Sequence, residues 1–268
     1  MKIPDVNLLD DPRQEWYLDL DKIEFFGFSK NNFAYLRYKA RFNKTAEIIK
    51  RFSPGKKILD AGCATANMSL YLAEQGFEVF AFDLRMYFIK YARLKYEKGK
   101  IHFINANLMH VPFKMGFDCV ILGDVIEHLA YPETAVIELS KLLKKNGILI
   151  ITTPNGDYIR KRNTRLYGIA NREILAKHQF EPGGDGHLFS LNYSDFSKII
   201  KNNIEGISMI WHAYYNTPWI TGNMKMRYLR RLLPLQLNLA MNKLFLNSLV
   251  LRKYFGEGLI VVLKKDKE

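Results

Sequence analysis

The chain is poor in cysteine, contains no internal repeat, and has no apolar run long enough to cross a bilayer. Its two cysteines among 268 residues, Cys63 and Cys119, sit in or beside apolar runs. Two such thiols make no disulfide framework and point to a reducing, cytoplasmic setting. A membrane span takes about 18 apolar residues. The most apolar late stretch, Leu232 to Leu251, is broken by Gln236, Asn238, Asn242, Lys243 and Asn247. The N-terminus turns acidic by Asp10 and Asp11, unlike a secretory signal. The fingerprint G-x-G-x-x-G is also missing, since only Gly62 stands at the turn where it would begin. That absence excludes the usual dinucleotide-binding unit.

The remaining composition is that of a folded protein, with 48% hydrophobic and 25% charged residues. Lys and Arg number 40 against 27 Asp and Glu, a net charge of +13. The charge is uneven: residues 1–25 carry a net of −4 and residues 156–268 a net of +9. The basic C-terminal part suits an anionic partner, whether a phosphate, a nucleic acid or a lipid surface. An overall basic composition explains it equally well.

Hydrophobic periodicity predicts a lead-in, residues 1–55, with a helix over residues 31–52 that ends at Ser53-Pro54-Gly55. Residues 56–212 read as a core in which short apolar runs alternate with helical stretches. Strands are expected at Lys57-Leu59, Phe77-Phe82, Ile101-Ile104, Phe117-Leu122 and Gly147-Thr152, and helices at Asn67-Gln75, Arg85-Glu97 and Pro132-Lys144. This order predicts a Rossmann-like, doubly wound α/β fold: a mostly parallel seven-stranded sheet with helices on both faces. Within the core, residues 157–186 form a polar, basic substrate-side loop ending in Gly183-Gly184-Asp185-Gly186. A helix over 193–203 and a strand over 206–212 follow. Residues 213–257 are then a helical cap insertion, and residues 258–268 a closing strand with a basic tail.

In an open α/β sheet, ligands bind beyond the carboxyl ends of the strands. The first strand runs into Asp60-Ala61-Gly62-Cys63-Ala64-Thr65-Ala66-Asn67, where Gly62 permits close backbone approach and the loop opens a helix. The second strand ends at Asp83, a carboxylate able to accept both hydroxyls of a ribose. Two further stretches, Phe117-Asp118-Cys119-Val120-Ile121 and Gly123-Asp124-Val125-Ile126-Glu127-His128, precede Leu142-Leu143-Lys144-Lys145-Asn146-Gly147.

Across residues 36–153 these motifs resemble the class I S-adenosylmethionine-dependent methyltransferases, in particular the ubiquinone-pathway O-methyltransferase-like group. The resemblance implies S-adenosyl-L-methionine as cofactor and S-adenosyl-L-homocysteine as product. It implies that Asp60 and Gly62 hold the amino acid part and Asp83 the ribose, with Ala61, Cys63, Leu84 and Asp124 also among the cofactor-binding residues. Asn107 and Leu108 would meet the adenine, the Gly123 carbonyl the methionine amino group, and Arg41 the carboxylate. The family's further loop glycines are Ala64 and Ala66 here, which costs about 1 kcal/mol wherever the backbone needs positive φ. The acid that meets adenine in the family is the amide Asn107.

Methyl transfer to a hydroxyl gains from a general base, and His128 and His187 are the candidates. Were residues 124–128 helical, Asp124, Glu127 and His128 would share one face. Such a face could hold a divalent ion, as in some ubiquinone-pathway relatives, but a site without metal is the plainer expectation. Trp211, Tyr214, Tyr215 and Trp219 are expected to wall the acceptor site, and Lys225 to Arg231 to hold a phosphate or acidic sugar. The expected reaction is methylation of a hydroxyl on a small molecule, glycan or lipid-linked precursor. For the leucine-rich cap, core packing or dimerisation stands beside peripheral contact with a membrane. An RNA methyltransferase is the second reading, disfavoured by the lack of a recognisable RNA-binding module. A non-catalytic cofactor-binding scaffold is the third.

Overall fold

The computed structural model describes residues 1–4, 14–27, 33–114, 116–159, 172–178 and 186–266. The basic run Arg160 to Arg165 and the glycines Gly183 and Gly184 lie outside these residues. Two helices lead in, α1 (Gln14–Glu24) and α2 (Phe33–Phe52). Strand β1 (Lys57–Ala61), helix α3 (Asn67–Glu74), strand β2 (Glu78–Asp83), helix α4 (Met86–Lys95) and strand β3 (Lys100–Asn105) then alternate. Strand β4 (Phe117–Gly123), helix α5 (Pro132–Lys141) and strand β5 (Leu143–Pro154) complete the parallel part. Helices α6 (Arg172–His178) and α7 (Tyr193–Asn203) precede strand β6 (Ile207–Tyr215). The cap contains α8 (Pro218–Thr221), α9 (Met226–Leu232), α10 (Leu235–Asn247) and α11 (Leu249–Phe255), and strand β7 (Gly258–Lys265) closes the sheet.

The strands are ordered β3-β2-β1-β4-β5-β7-β6. The first five run parallel, whereas β7 is antiparallel to both β5 and β6. The sheet is therefore mostly parallel and carries one antiparallel hairpin. Its central strands are apolar and fully covered, as strands buried on both faces must be. One face packs Leu59, Val120 and Leu149 toward α5 and α7, and the other packs Ile58, Cys119 and Ile150 toward α2.

The larger departures from the sequence reading are at the α5–β5 junction and at the end of β6. Helix α5 stops at Lys141 because Leu143 already pairs with Phe117, so β5 starts four residues before Gly147. Strand β6 runs on to Tyr215, held by pairing of Tyr214 with Leu259 and Tyr215 with Gly258. The cap thus begins at Asn216 rather than residue 213. It is anchored by buried Asn155, whose side-chain amide donates to the carbonyls of Lys253 (2.7 Å) and Gly256 (2.8 Å).

Candidate functional site

The strand order reverses between β1 and β4, which makes their carboxyl ends the switch point where a ligand can enter. The loop after β1 sits there under tight constraint. Gly62 has φ 74°, and a Cβ on it would meet Val125 Cγ2 at 2.6 Å. Ala64 and Ala66 also take left-handed backbone, at φ 45° and 55°, so the cost foreseen for alanine is present in the fold. The loop is tied across to β2, since the Ala64 N–H donates to Asp83 Oδ2 at 2.9 Å and the Gly62 and Cys63 N–H groups both donate to the Phe82 carbonyl. The other oxygen of Asp83 accepts from the Arg85 N–H at 2.9 Å.

Two cavities flank this loop and share Gly62, Ala64 and Gly123. One, of about 300 Å³, is lined by Asp83, Leu84, Asn107, Leu108 and His128. The other, of about 240 Å³, is lined by Arg41, Asp60, Cys63 and residues of α1. Burial raises the Asp60 carboxyl to about 6, with the Ser69 hydroxyl hydrogen bond and Arg41 opposing and Asp83 reinforcing the rise. Burial also raises Asp83, against hydrogen bonds from the Arg85 and Ala64 amides. Asn107 uses its side-chain oxygen to cap the turn Leu108–His110, accepting from the Met109 N–H at 2.9 Å, while lining the first cavity. Ala61 is wholly buried in the core of the sheet, so only its backbone faces the loop. The Cys63 thiol is pushed well up by burial, which keeps it protonated.

A third cavity, about 780 Å³ and polar, opens beside these two. Arg41 and Asp124 form an ion pair and stand between compartments: Arg41 lines the second and third cavities, and Asp124 the first and third. Asp124 is itself at φ 53° and accepts from Thr152 Oγ1 at 2.8 Å. That left-handed residue keeps residues 124–128 from forming one helix, so the condition for a shared face is not met. Only Ile126–His128 forms a short 3-10 turn, so Asp124 does not share a face with Glu127 and His128. His187 takes its place in the cluster. The nearest ligand atoms of Glu127, His128 and His187 lie within 4.8 Å of one another.

The histidine pair is built by backbone bonding. The Glu127 carbonyl accepts from the Leu188 N–H at 2.8 Å, which draws residues 186–189 against the turn. The His128 and His187 rings then meet edge to face with centroids 4.9 Å apart. His128 Nδ1 lies 3.1 Å from the Gly186 carbonyl, which can only accept. That contact assigns the proton of neutral His128 to Nδ1 and leaves Nε2 as an acceptor. Burial lowers the His128 pKa, with the Gly186 bond opposing and Arg85 reinforcing the fall. His178 lies in α6, and the His212 ring lies tilted against Tyr193, with centroids 4.5 Å apart.

The aromatic walls differ from expectation. Tyr215 lines the third cavity, but Trp211 sits about 13 Å back along the same face of β6 and packs on Phe52. Tyr214 pairs with His212, and Trp219 with Phe245. The wall is completed by Glu24, Arg37, Tyr38, Tyr158, Asn223 and Glu257. Glu257 Oε1 accepts from Tyr158 (3.2 Å), Asn223 (2.8 Å) and the Thr221 hydroxyl. Within the expected basic cluster, Arg230 lies 4.0 Å over the Phe33 ring and donates to the Ile220 carbonyl, a packing role rather than phosphate binding.

Helix α1 supplies a wall that the sequence did not reveal. Its Asp21 is buried and accepts from Lys95 Nζ (2.6 Å), Asn67 Nδ2 (2.8 Å) and the Tyr91 hydroxyl (3.1 Å). Those bonds clamp α1 over the loop after β1, and Tyr17 and Leu20 close the second cavity. No short-range signal marks Asp21, because its partner Lys95 is 74 residues away.

A doubly wound sheet with one antiparallel closing hairpin, carrying carboxylates at the ends of β1 and β2, defines an α/β domain for a ribose-bearing ligand. Residues 59–151 match the family model described as a methyltransferase domain. The ubiquinone biosynthesis O-methyltransferase of Rickettsia prowazekii is 33% identical over 121 residues, covering 44% of this chain and 46% of that protein. The enzyme of the same name from Azoarcus is 27% identical over 151 residues, covering 55% and 59%. The chain thus spans about half the length of the curated relatives it matches. Among solved structures, the plantazolicin methyltransferase BpumL in complex with S-adenosylhomocysteine has a TM-score of 0.56 at 17% identity, covering 96% of this chain and 92% of that one. A methyltransferase from Archaeoglobus fulgidus gives 0.55 at 14% identity, covering 93% and 99%. Residues 59–151 thus carry a methyltransferase domain, and the chain around it has the fold of S-adenosylmethionine-dependent methyltransferases.

Proposed function

We propose that this chain is an S-adenosylmethionine-dependent methyltransferase acting on the hydroxyl of a polar acceptor. The observation that carries the reading is the contiguity of the three cavities at Arg41 and Asp124. A site for a methyl donor and a separate site for an acceptor thereby share a boundary. The residues fit the cofactor: its ammonium would meet the buried Asp60 side or the Gly123 carbonyl, its carboxylate Arg41, its ribose Asp83, and its adenine the Asn107–Leu108 edge. Gly62 gives the close approach that a side chain would block. The cofactor, when bound, supplies an electrophilic methyl group.

The protein's own work is alignment, exclusion of water and proton removal. Helix α1 covers the donor compartment, and the ordered loop fixes its direction, which accounts for much of the rate in an in-line displacement. His128, neutral with Nε2 unprotonated, accepts the acceptor's proton, and His187 orients the approach beside it. Glu127, His128 and His187 also form a donor set that fits a divalent ion, which would polarise the same hydroxyl. The ubiquinone O-methyltransferase relatives support oxygen as the accepting atom. Arg37, Tyr158, Asn223 and Glu257 support an acceptor rich in hydroxyl or other polar groups.

The test is Asp83→Ala. Loss of S-adenosylhomocysteine binding with the fold preserved is expected; unchanged affinity would show that the ribose does not lie at β2.

A further inference from the structure

The cap between β6 and β7 carries an unusual surface. Nine of the 19 exposed large hydrophobic side chains among the described residues fall within residues 228–254. They include Tyr228 (73% exposed), Leu232 (81%) and Leu249 (72%). Scattered exposed leucines are ordinary, but a cluster of this density marks a contact surface. The pattern is helical. On α9, Tyr228, Arg231 and Leu232 stand at i, i+3 and i+4, and all are exposed. On α10, Leu237, Ala240 and Leu244 make an exposed strip beside Lys243. On α11, Leu249, Val250, Lys253 and Tyr254 share the open face.

Charge decides what covers this surface. Residues 216–257 contain seven Lys and Arg and a single acid, Glu257. The carboxylate of Glu257 is turned into the polar cavity, where Tyr158, Thr221 and Asn223 bind it. A second copy docked through this face about a two-fold axis would set one positive surface against its equal. An anionic bilayer complements it: leucines and tyrosines enter the headgroup boundary while Lys225, Arg231, Lys243 and Lys253 meet the lipid phosphates. No helix among the described residues is long and apolar enough to cross a membrane, so the contact is with its surface.

We propose that helices α9–α11 dock this protein on the surface of an anionic lipid bilayer. The cap springs from Asn216 and returns at Glu257, and both line the polar cavity. Docking therefore brings that cavity close to any acceptor held in the same membrane, a consequence that rests on the methyltransferase reading. The docking itself does not.

The experiment is sedimentation of the full chain with phosphatidylcholine vesicles, with and without phosphatidylglycerol. Binding is expected only with phosphatidylglycerol, and it should weaken as salt is raised. Leu232→Asp with Leu249→Asp should lower it by about tenfold or more, as should Arg231→Glu with Lys243→Glu. All four positions are outside the donor site, so circular dichroism and S-adenosylhomocysteine affinity should stay unchanged and exclude unfolding as the cause. Equal binding to neutral vesicles, no binding to either, or a dimer in light scattering that Leu232→Asp with Leu249→Asp dissociates would each overturn the proposal.

Discussion

The backbone amide of Ala64 donates to the carboxylate of Asp83 at 2.9 Å from a left-handed conformation with φ 45°. The hydrogen bond holds the loop after β1 against the end of β2, and the alanine side chain makes that conformation costly. Ala66, at φ 55°, repeats the situation two residues on. Glycine suits such backbone, yet it also loses more freedom on folding. Ala64→Gly and Ala66→Gly are therefore each expected to stabilise the protein, by up to about 1 kcal/mol. Denaturant unfolding checks this; a loss of stability comparable to that of glycine in a helix would show that the loop bears no strain.

Asp60 sets a pH dependence. Its carboxyl is raised from 3.8 to about 6 by burial, so the folded protein binds its proton more tightly than the unfolded chain does. Stability from this group is present at low pH, declines as pH rises between about 4 and 6, and is flat above, with a total cost of about 3 kcal/mol. Cofactor affinity should run the opposite way, because an ammonium group favours the ionised carboxylate. Affinity for S-adenosylhomocysteine is expected to strengthen as pH rises through about 6 and then level off. Asp60→Asn should remove both slopes and weaken binding. Titration calorimetry across pH 5–8 would reveal either outcome.

His128 should govern turnover. Its pKa lies below the ordinary 6.5, so the base form dominates at neutral pH. Turnover should rise with pH at a point below 6.5 and reach a plateau by neutrality. His128→Ala should cost about 10²–10⁴-fold in kcat, far more than it costs in cofactor affinity. A chelator should leave the wild-type rate intact if His128 is the base. Loss of activity restored by a divalent ion would instead make Glu127, His128 and His187 a metal centre.

The clamp on α1 is a buried ion pair, with the Asp21 and Lys95 side chains 3% and 0% exposed. Asp21→Ala leaves the Lys95 ammonium in the interior without its counter-charge and should destabilise the protein by about 3–5 kcal/mol. Pairing it with Lys95→Met should recover much of that loss, since a well-packed apolar replacement is tolerated. Unfolding of both variants tests the pair; additive destabilisation would contradict it.

The parts of this protein legible in its sequence are those written in short segments. Asp60, Gly62 and Asp83 each close a strand-loop unit whose period and punctuation are local, and the parallel core follows from repeating that unit. Whether Asp124 shares a helical face with Glu127 and His128 is not legible, because φ 53° at a non-glycine residue leaves no mark in spacing. Alternation gives the face of a strand but not the distance along it, so the sequence does not separate Trp211 from the acceptor wall. Helix α1, Glu24 and Asp21 carry no mark of the site in the local sequence. Their roles depend on packing across long stretches of chain, and Asp21 reads locally as one more acid in an acidic lead-in.

The most direct measurement is calorimetric titration of S-adenosylmethionine and S-adenosylhomocysteine into the full chain at neutral pH. Dissociation constants on the order of micromolar, abolished by Asp83→Ala, are expected. No binding of either ligand at millimolar concentration would contradict the assignment of the switch-point cavities to a methyl donor.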